Sequence, residues 1–307
     1  MSSRKAEERL HTEPAQLIVD EIKAFVRNSL LNRMPATNNL AIYDEPLVGF
    51  ADGNDPIFTE YRTIIAPSHL TPREALAKTY RKSPEDMPEN ISVISWILPV
   101  SRRILESNHR HTVNPSCLWA GAAYYGGHIF LDAMQKHLVE FLTAMGYLAA
   151  SPTMEPYFRD TMMELKINGE EWDAAKIKER GVSNWSEKHI AYAAGLGTFG
   201  FSGNFISERG VAVTLGSVVT SLVLPASRRT ADNPFANCLF YANGTCKVCA
   251  ARCPAGTITE NGHDDIDCAG HISDIGYLAK KYNVEHVGCG MCMTKVPCEF
   301  RNPTKQI

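Results

Sequence analysis

Cysteine is the residue type whose spacing points most directly to chemistry, because eight of the nine cysteines lie in the last 70 residues. In chain order the two groups are Cys238, Cys246, Cys249 and Cys253, and then Cys268, Cys289, Cys292 and Cys298. The run Cys246-x2-Cys249-x3-Cys253-Pro254 matches the last three cysteines of the bacterial ferredoxin pattern, whose final cysteine binds the neighbouring cluster. Thiolates in fours suit iron–sulfur clusters or zinc. The pairing of the groups and the Cys-Pro step favour two 4Fe–4S clusters.

Zinc and disulfides are the alternative uses of these cysteines. Two zinc sites would also take eight thiolates, usually as two Cys-x2-Cys pairs for each site. The chain has two such pairs, Cys246/Cys249 and Cys289/Cys292, enough for one site with four cysteines left over. Disulfides need an oxidising compartment, and the N-terminal residues 1–9 contain no apolar stretch that would direct export. The sequence therefore predicts a redox protein.

Composition and charge limit the classes of protein to which this chain can belong. The 307 residues are 44% hydrophobic and 21% charged, as in ordinary globular proteins, and the net charge is −3. No long run of one sign is present, which argues against a nucleic-acid-binding surface. The longest stretches without charged residues are interrupted by polar residues, glycine or proline, and none suits a bilayer core. We expect a cytoplasmic protein without a membrane span.

The elements that position the cysteines indicate an α+β fold. Apolar residues at three- and four-residue spacing predict helices, and β-branched runs predict strands. We expect helices over residues 14–31, 72–80, 118–147 and 185–194, and strands over residues 91–100, 210–215 and 217–224. Thr71, Pro72 and Glu74 have the residue types of a capping box with proline at the first helical position.

A glycine-rich segment follows the last of these helices. Gly195, Gly197 and Gly200 match the dinucleotide fingerprint in spacing, but that fingerprint follows a strand and opens a helix. Here a helix precedes the glycines and strands follow. The pattern therefore indicates a close backbone approach, either to another segment or to a cofactor.

Histidine and tyrosine residues are the candidates for proton transfer. They are His109, His111, Tyr124, Tyr125, His128, His189 and Tyr192. A single such residue is more often structural than catalytic, so we select His128, His189 and Tyr192 as catalytic candidates. Cys117 stands apart from the other cysteines, and without a basic neighbour in sequence we interpret it as a small buried apolar residue.

The order of these motifs resembles that of epoxyqueuosine reductases and the related reductive dehalogenases. The resemblance rests on Glu187-Lys188-His-Ile-Ala191-x2-Ala194-Gly195-Leu-Gly197, followed by strands and the two cysteine groups, and on the strand Ser92–Pro99. It covers roughly residues 90–300. It implies an N-terminal region at residues 1–90, a nitroreductase-like corrinoid-binding core at 91–230, and a ferredoxin-like domain with two 4Fe–4S clusters at 231–307.

The resemblance also implies ligands, cofactors and partners. Carried over by position, cluster one is held by Cys238, Cys246, Cys249 and Cys298, and cluster two by Cys253, Cys268, Cys289 and Cys292. A cobalamin would lie above the ferredoxin-like module, where Gly195, Gly197 and Gly200 would allow its approach. An external ferredoxin or flavodoxin would supply electrons, and cobalt would reduce a small-molecule substrate.

The sequence departs from the family pattern at three places. Cys238 lies five residues before the expected position, and Cys298 is followed by Glu299 where the family usually has proline. The stretch Gly181–Asn184 lacks the aspartate that serves epoxyqueuosine reductases as proton donor. We therefore expect a corrinoid-dependent reductase with a substrate other than tRNA. The alternatives are an electron carrier without corrinoid and a zinc-binding structural protein.

Overall fold

A four-stranded antiparallel sheet lies at the centre of the fold. The computed structural model describes residues 9–10, 12–35, 37–161, 183–229 and 231–306. The sheet has the order β1-β2-β6-β3, and two small hairpins, β4-β5 and β7-β8, lie outside it. The strands are β1 (Leu47–Asp52), β2 (Ser92–Pro99), β3 (Ala149–Ala150), β4 (Gly197–Phe199), β5 (Phe205–Ser207), β6 (Val213–Thr220), β7 (Ile258–Thr259) and β8 (Gly262–His263).

The predicted central strand is confirmed, whereas the two strands predicted after it are wrong. β2 is buried along its whole length and pairs with β6 from Ser92↔Thr220 to Pro99↔Val213. β6 is one strand that continues through Gly216, where we expected a break between two strands. A Cβ at Gly216 would lie 2.6 Å from the indole of Trp96, so this glycine makes room for a cross-strand side chain.

The other regular elements of the described residues are helices. The α-helices are α1 (Pro14–Asn28), α2 (Ile57–Ile64), α3 (Pro72–Thr79), α4 (Arg102–Ser107), α5 (Cys117–Gly121), α6 (Leu131–Ala144), α7 (Glu187–Ala193), α8 (Leu239–Asn243), α9 (Val248–Arg252), α10 (Asp265–Asp274) and α11 (Leu278–Tyr282). A π-helix over Ala122–Phe130 joins α5 to α6. The 3₁₀-helices are Leu30–Asn32, Pro84–Asp86, Pro152–Met154, Ile275–Tyr277 and Pro303–Gln306. All four predicted helical regions are helical, and the capping box at Thr71 and Glu74 is formed.

Apolar side chains pack on both faces of the sheet, which makes the core a three-layer structure. Ile94, Trp96 and Leu98 of β2 face a core shared with α1 and α6. Val93 and Ile97, at the alternate positions, face a second core shared with α2, α3 and α7. The predicted mixture of helices and sheet is thus confirmed.

The cysteine-rich region folds as short helices and loops against hairpin β4-β5. Phe201, Ile206 and Val211 form a small core with Cys238 and Val296, and several further cysteines pack on it. None of the helices in the described ranges combines the length and apolar character of a membrane span.

Candidate metal centres and active-site cavity

Four thiols from both sequence groups meet at one small cavity. Cys238, Cys246, Cys249 and Cys298 line it together with Val296, Pro297 and Pro303; we call these four cysteines set one. Burial raises the pKa of the Cys298 thiol, and the nearby thiols of the other three raise it further. The backbone N–H of Phe201 donates to Cys238 Sγ at 3.4 Å.

The other four cysteines, Cys253, Cys268, Cys289 and Cys292, form a second group, called set two. Burial raises the pKa of Cys292 to about 12, with added contributions from Cys289 and Cys268. Burial also raises the pKa of Cys289, and Cys268 and Cys253 raise it further. Asn204 Nδ2 donates to Cys292 Sγ at 3.3 Å. Hydrogen bonds to cluster sulfurs are one means by which proteins set reduction potentials.

Cys253 is one of two cysteines, with Cys298, whose set differs from its sequence group. It follows the end of α9 with extended backbone, and Pro254 prevents the helix from continuing. Burial alone would raise the pKa of its thiol. Hydrogen bonds from the Thr257 hydroxyl and from the amides of Thr257, Ala255 and Gly256 outweigh burial and lower it. This environment favours a thiolate.

The crossed pattern, in which each set holds one cluster, stays a prediction. Cys249, Cys238 and Cys246 raise the pKa of Cys298, whereas Cys268 and Cys253 raise that of Cys289. Cys249 of set one also contributes to the raised pKa of Cys292, so the two sets lie close together. Within the described ranges, no three His, Cys, Asp or Glu side chains gather closely enough to hold a single metal ion.

A cavity of about 1360 Å³ lies beside set two, and Cys268 is part of its wall. Most small-molecule pockets have volumes of about 300–1,000 Å³, so this one is large. Helices α2, α7 and α10 and the hairpins β4-β5 and β7-β8 all contribute to the wall. Its aromatic residues are Tyr61, Phe158, Trp185, Tyr192, Phe199, Phe201, Phe235 and Tyr241.

His189 and Tyr192, two of the predicted catalytic residues, line this cavity. The His189 Nδ1 atom lies 2.8 Å from Ser186 Oγ, and the ring packs 4.6 Å from that of Phe199. Burial, with the neighbouring His69 and Lys188, lowers the pKa of His189 to about 3. The imidazole is therefore neutral near pH 7.

Glu187 is an acid of this cavity that sequence reasoning overlooked. Both carboxyl oxygens are buried and make no hydrogen bond of normal geometry. Burial raises the pKa of Glu187 to about 7, and the nearby side chains of Ser217 and Trp185 offset this only in part. A group with a pKa near neutrality can both give and take a proton. Its place in the Glu187–Gly197 motif was the available signal.

Lys188 projects from α7 towards set two. Its Nζ donates to the Gly203 carbonyl at 2.9 Å, and burial lowers its pKa although Asp265, Cys292 and Cys268 raise it. His263 connects the same region, with Nδ1 2.9 Å from Asp265 Oδ1. Asp265 and then Cys268 raise the pKa of His263 to about 9. A chain of polar contacts thus joins the cavity wall to Cys268.

Asp160 is a second acid of the cavity wall that was not predicted. It pairs with Ser183 in an isolated antiparallel bridge, which brings together two positions 23 residues apart. Gly181 and Val182, where we noted the missing aspartate, lie outside the described residues. Asn184 is described, and its side-chain amide bonds to the backbone of Tyr157 and Arg159.

The charge of the cavity wall is acidic. Its charged residues among those described are Asp55, Glu60, Asp160, Glu187, Asp265, Lys188 and Arg229, besides two histidines. Arg229 is paired with Asp55 and His263 with Asp265, and the half-buried Lys188 donates to the Gly203 carbonyl. The wall therefore offers little to hold a polyanion.

The other candidate residues lie elsewhere. His128 and Tyr124 belong to the π-helix and pack on His286, with ring centroids 4.1 and 5.2 Å away respectively. Tyr125 donates to the Asn283 carbonyl at 3.3 Å. Cys117 is exposed at the start of α5, so our interpretation of it as buried is wrong. The preceding Ser116 caps that helix, which leaves Cys117 on its outer side.

The predicted glycines pack mainly against protein. A Cβ at Gly195 would lie 2.5 Å from the Arg228 carbonyl oxygen, and one at Gly197 would lie 2.3 Å from that of Ile206. Gly195 also has φ of +73°, in the left-handed region that favours glycine. Of the three, Gly200 lines the large cavity.

Similar solved structures belong to the two groups whose motifs the sequence resembles. An epoxyqueuosine reductase from Bacillus subtilis is 13% identical, with a TM-score of 0.45, over 91% of this chain and 64% of that chain. An epoxyqueuosine reductase with an epoxyqueuosine-modified tRNA stem loop is 14% identical, with a TM-score of 0.47, over the same shares. The catabolic reductive dehalogenase NpRdhA is 13% identical, with a TM-score of 0.46, over 94% of this chain and 37% of that chain.

The chain thus spans less than two thirds of the length of those reductases and little more than one third of the dehalogenase. No protein-family model and no curated protein matches it.

Proposed function

We propose that this protein is a reductase in which two 4Fe–4S clusters deliver electrons to a large cofactor-binding cavity. The observation that carries the proposal is the position of Cys268, which belongs to set two and also lines the cavity. A cluster held there would border the reaction space directly. Electron transfer slows steeply with distance, so such an arrangement suits a reductase better than a structural metal site.

The eight thiols fit two clusters by number, chemistry and grouping. Set one would hold the first cluster and set two the second, with Cys253 crossing from one sequence group to the other. We assign residues 231–307 to a ferredoxin-like domain and residues 91–230 to a nitroreductase-like core, with residues 1–90 as an N-terminal region. A reducing compartment such as the cytoplasm would keep the thiols available to iron.

The large cavity is the proposed site of a corrinoid. Its volume of about 1360 Å³ accommodates a macrocycle, and its aromatic wall offers flat apolar surfaces. Tyr192, Phe199 and Gly200, which has no side chain to obstruct the approach, would contact the corrin ring. When bound, a corrinoid supplies the redox-active cobalt that makes a difficult reduction possible.

Protons for the reduction would come from side chains of the cavity wall. Glu187 can donate a proton near neutral pH, because burial raises its pKa to about 7. His189 is neutral under these conditions, and Ser186 fixes the orientation of its ring. We therefore assign proton donation to Glu187 and orientation of the bound molecule to His189 and Tyr192.

The proposed substrate is a small molecule. Besides Glu187, four carboxylates face the cavity among its described residues, against Lys188, Arg229 and His263, whose pKa is about 9. The wall thus keeps a small net negative charge, which disfavours phosphate groups. An external one-electron carrier of the ferredoxin or flavodoxin type would complete the reaction by reducing the clusters.

Anaerobic purification with iron, sulfide, zinc and corrinoid analysis tests the proposal. We expect iron and acid-labile sulfide, and a corrinoid absorption band after reconstitution with hydroxocobalamin. Clusters without corrinoid binding would indicate the alternative electron carrier. Zinc without labile sulfide would indicate a structural protein and would overturn the proposal.

A further inference from the structure

A second surface cavity, of about 560 Å³, carries a charge opposite to that of the large one. Its charged residues within the described chain are Arg102, Arg209, Arg301 and Asp44. Between the charges its surface is apolar, with Pro99, Val100, Leu105, Val296, Pro297 and Phe300. We call this cavity the arginine groove.

The arginine groove and the set-one cavity share a wall. Val296 and Pro297 line both, and Cys298 is the next residue in the chain. The Val211 amide bonds to the Cys298 carbonyl at 2.8 Å, which fixes this loop against the core. A molecule seated in the groove would therefore be separated from a set-one cluster by little more than these two side chains.

Two of the arginines, Arg102 and Arg301, are exposed to a partner, and Arg209 is half-buried. Arg102 has a side chain that is 76% exposed, and its guanidinium lies 5.3 Å from the centre of the Phe300 ring. Arg301 is exposed, and no ion pair is found for it among the described residues. Arg102 and Arg209 have single carboxylate partners, Glu106 at 2.7 Å and Asp44 at 3.3 Å. Arginine and aromatic residues around an apolar centre are typical of protein interfaces.

We propose that the arginine groove docks an acidic one-electron carrier protein of the ferredoxin or flavodoxin class, which reduces the set-one cluster. This inference rests on the proposed clusters. In each encounter the carrier is oxidised by one electron and the cluster is reduced by one, and no bond is made or broken. The positive groove attracts such a carrier, whereas the acidic wall of the large cavity repels it.

Stopped-flow reduction of the anaerobic holoprotein by a reduced plant-type 2Fe–2S ferredoxin tests this docking site. The variant is Arg102→Glu/Arg301→Glu. The control is Lys82→Glu, which reverses one exposed cation just after α3 where the groove variant reverses two. Helix α3 packs near β3, which pairs with the Thr220 end of β6, whereas the groove lies near Pro99 at the Val213 end.

We expect the groove variant to lower the second-order rate at least about 10-fold at low salt, within the range of electrostatic steering. The difference should shrink as salt is added, while Lys82→Glu should leave the rate unchanged. Reduction by dithionite, a small reagent, should be equal in all three proteins, which shows that the clusters are intact. Equal rates with ferredoxin for the groove variant and the wild type would overturn the proposal.

Direct titration with oxidised ferredoxin distinguishes failure of docking from failure of the clusters. We expect the groove variant to weaken binding and Lys82→Glu to leave it unchanged, and this readout does not require electron transfer. If the chain holds no clusters yet binds ferredoxin at the groove, the proposed function fails and the docking site stands. If a tRNA stem loop binds with an affinity that depends on Arg102 and Arg301 while ferredoxin does not, the groove is an RNA site and the proposal is wrong.

Discussion

His109 Nε2 lies 2.8 Å from Oε1 and 3.0 Å from Oε2 of Glu299, the residue that follows Cys298. Glu299 is 4% exposed, and its Oε1 also accepts a hydrogen bond from the Lys295 amide at 3.0 Å. This carboxylate closes the loop that carries Cys298 and fastens it to the segment after α4. At the position where the resemblance implies proline, the chain thus uses a buried polar contact to hold a proposed ligand.

Replacing Glu299 should loosen this loop. In Glu299→Ala, the Lys295 amide and the His109 ring lose their buried acceptor, at a cost of about 1–3 kcal/mol of unfolding free energy. We expect a lower melting temperature and selective loss of the set-one cluster by electron paramagnetic resonance. Glu106→Ala, which removes an exposed glutamate, is the control. An unchanged set-one signal in Glu299→Ala would contradict this role.

The purified chain should contain about eight iron atoms and a similar amount of labile sulfide. The expectation follows from two cubanes held by eight thiolates. Iron, zinc and sulfide are measured on protein purified without oxygen, and Cys117→Ser serves as the control because Cys117 lies outside both sets. Stoichiometric zinc in the absence of labile sulfide would rule out the clusters.

Changing Cys253 should affect the cluster of set two more than that of set one. In Cys253→Ser the weaker oxygen ligand replaces a thiolate whose environment favours charge, since hydrogen bonds from Thr257 lower its pKa against the effect of burial. Electron paramagnetic resonance of the reduced protein should show a perturbed or missing set-two signal. Cys298→Ser should do the opposite and affect set one. The reverse assignment of these two variants would reject the crossed pattern.

The sequence predicts the elements of this fold better than it predicts how distant residues meet. The helix at Pro72 and the strand over Ser92–Pro99 follow local rules of capping and burial, which depend on neighbouring residues. The single strand through Gly216 does not, because its continuity depends on the indole of Trp96 on another strand. Judged from its neighbours in sequence, a glycine predicts a break in a strand. Here Gly216 instead leaves room for the Trp96 side chain of the neighbouring strand.

The same distinction holds for the candidate site. The cysteines and the Glu187 motif are visible as spacing along the chain, and His189 and Tyr192 follow from that motif. Asp160 meets the cavity through its bridge to Ser183, which no local pattern indicates. The raised pKa of Glu187 was also invisible in the sequence, because it results from burial in the folded chain and not from the residue type.

This chain should not reduce epoxyqueuosine in tRNA at a useful rate. The wall of the large cavity is acidic, and losing several phosphate contacts lowers nucleic-acid affinity steeply at physiological salt. The stretch Gly181–Asn184 lacks the aspartate that donates the proton in the epoxyqueuosine reductases that the sequence resembles, and a general acid placed for its substrate contributes on the order of 10²–10⁴-fold. The donor proposed for this chain, Glu187, holds a different position in the sequence. The measurement is queuosine in tRNA from cells that lack their own reductase and express this chain. Restored queuosine would show that the prediction is wrong.

Glu187 should make the stability of the protein fall between about pH 5 and pH 7. Its pKa is about 7 in the folded chain against an ordinary value of 4.5, so in this window the folded state keeps a proton that the unfolded state has lost. Unfolding free energy therefore decreases as the pH rises through the window and is level above it. The difference between the two pKa values corresponds to about 3 kcal/mol of unfolding free energy.

The neutral variant Glu187→Gln removes this dependence. Between pH 5 and pH 8 the wild type should lose about 2.5 kcal/mol of unfolding free energy that Glu187→Gln does not lose. Denaturant unfolding followed by tryptophan fluorescence at several pH values measures the difference. Glu140→Gln, at an exposed position of α6, is the control and should follow the wild type throughout. If Glu187→Gln also runs parallel to the wild type over this range, Glu187 is ionised in the folded protein and is not the proton donor of the cavity.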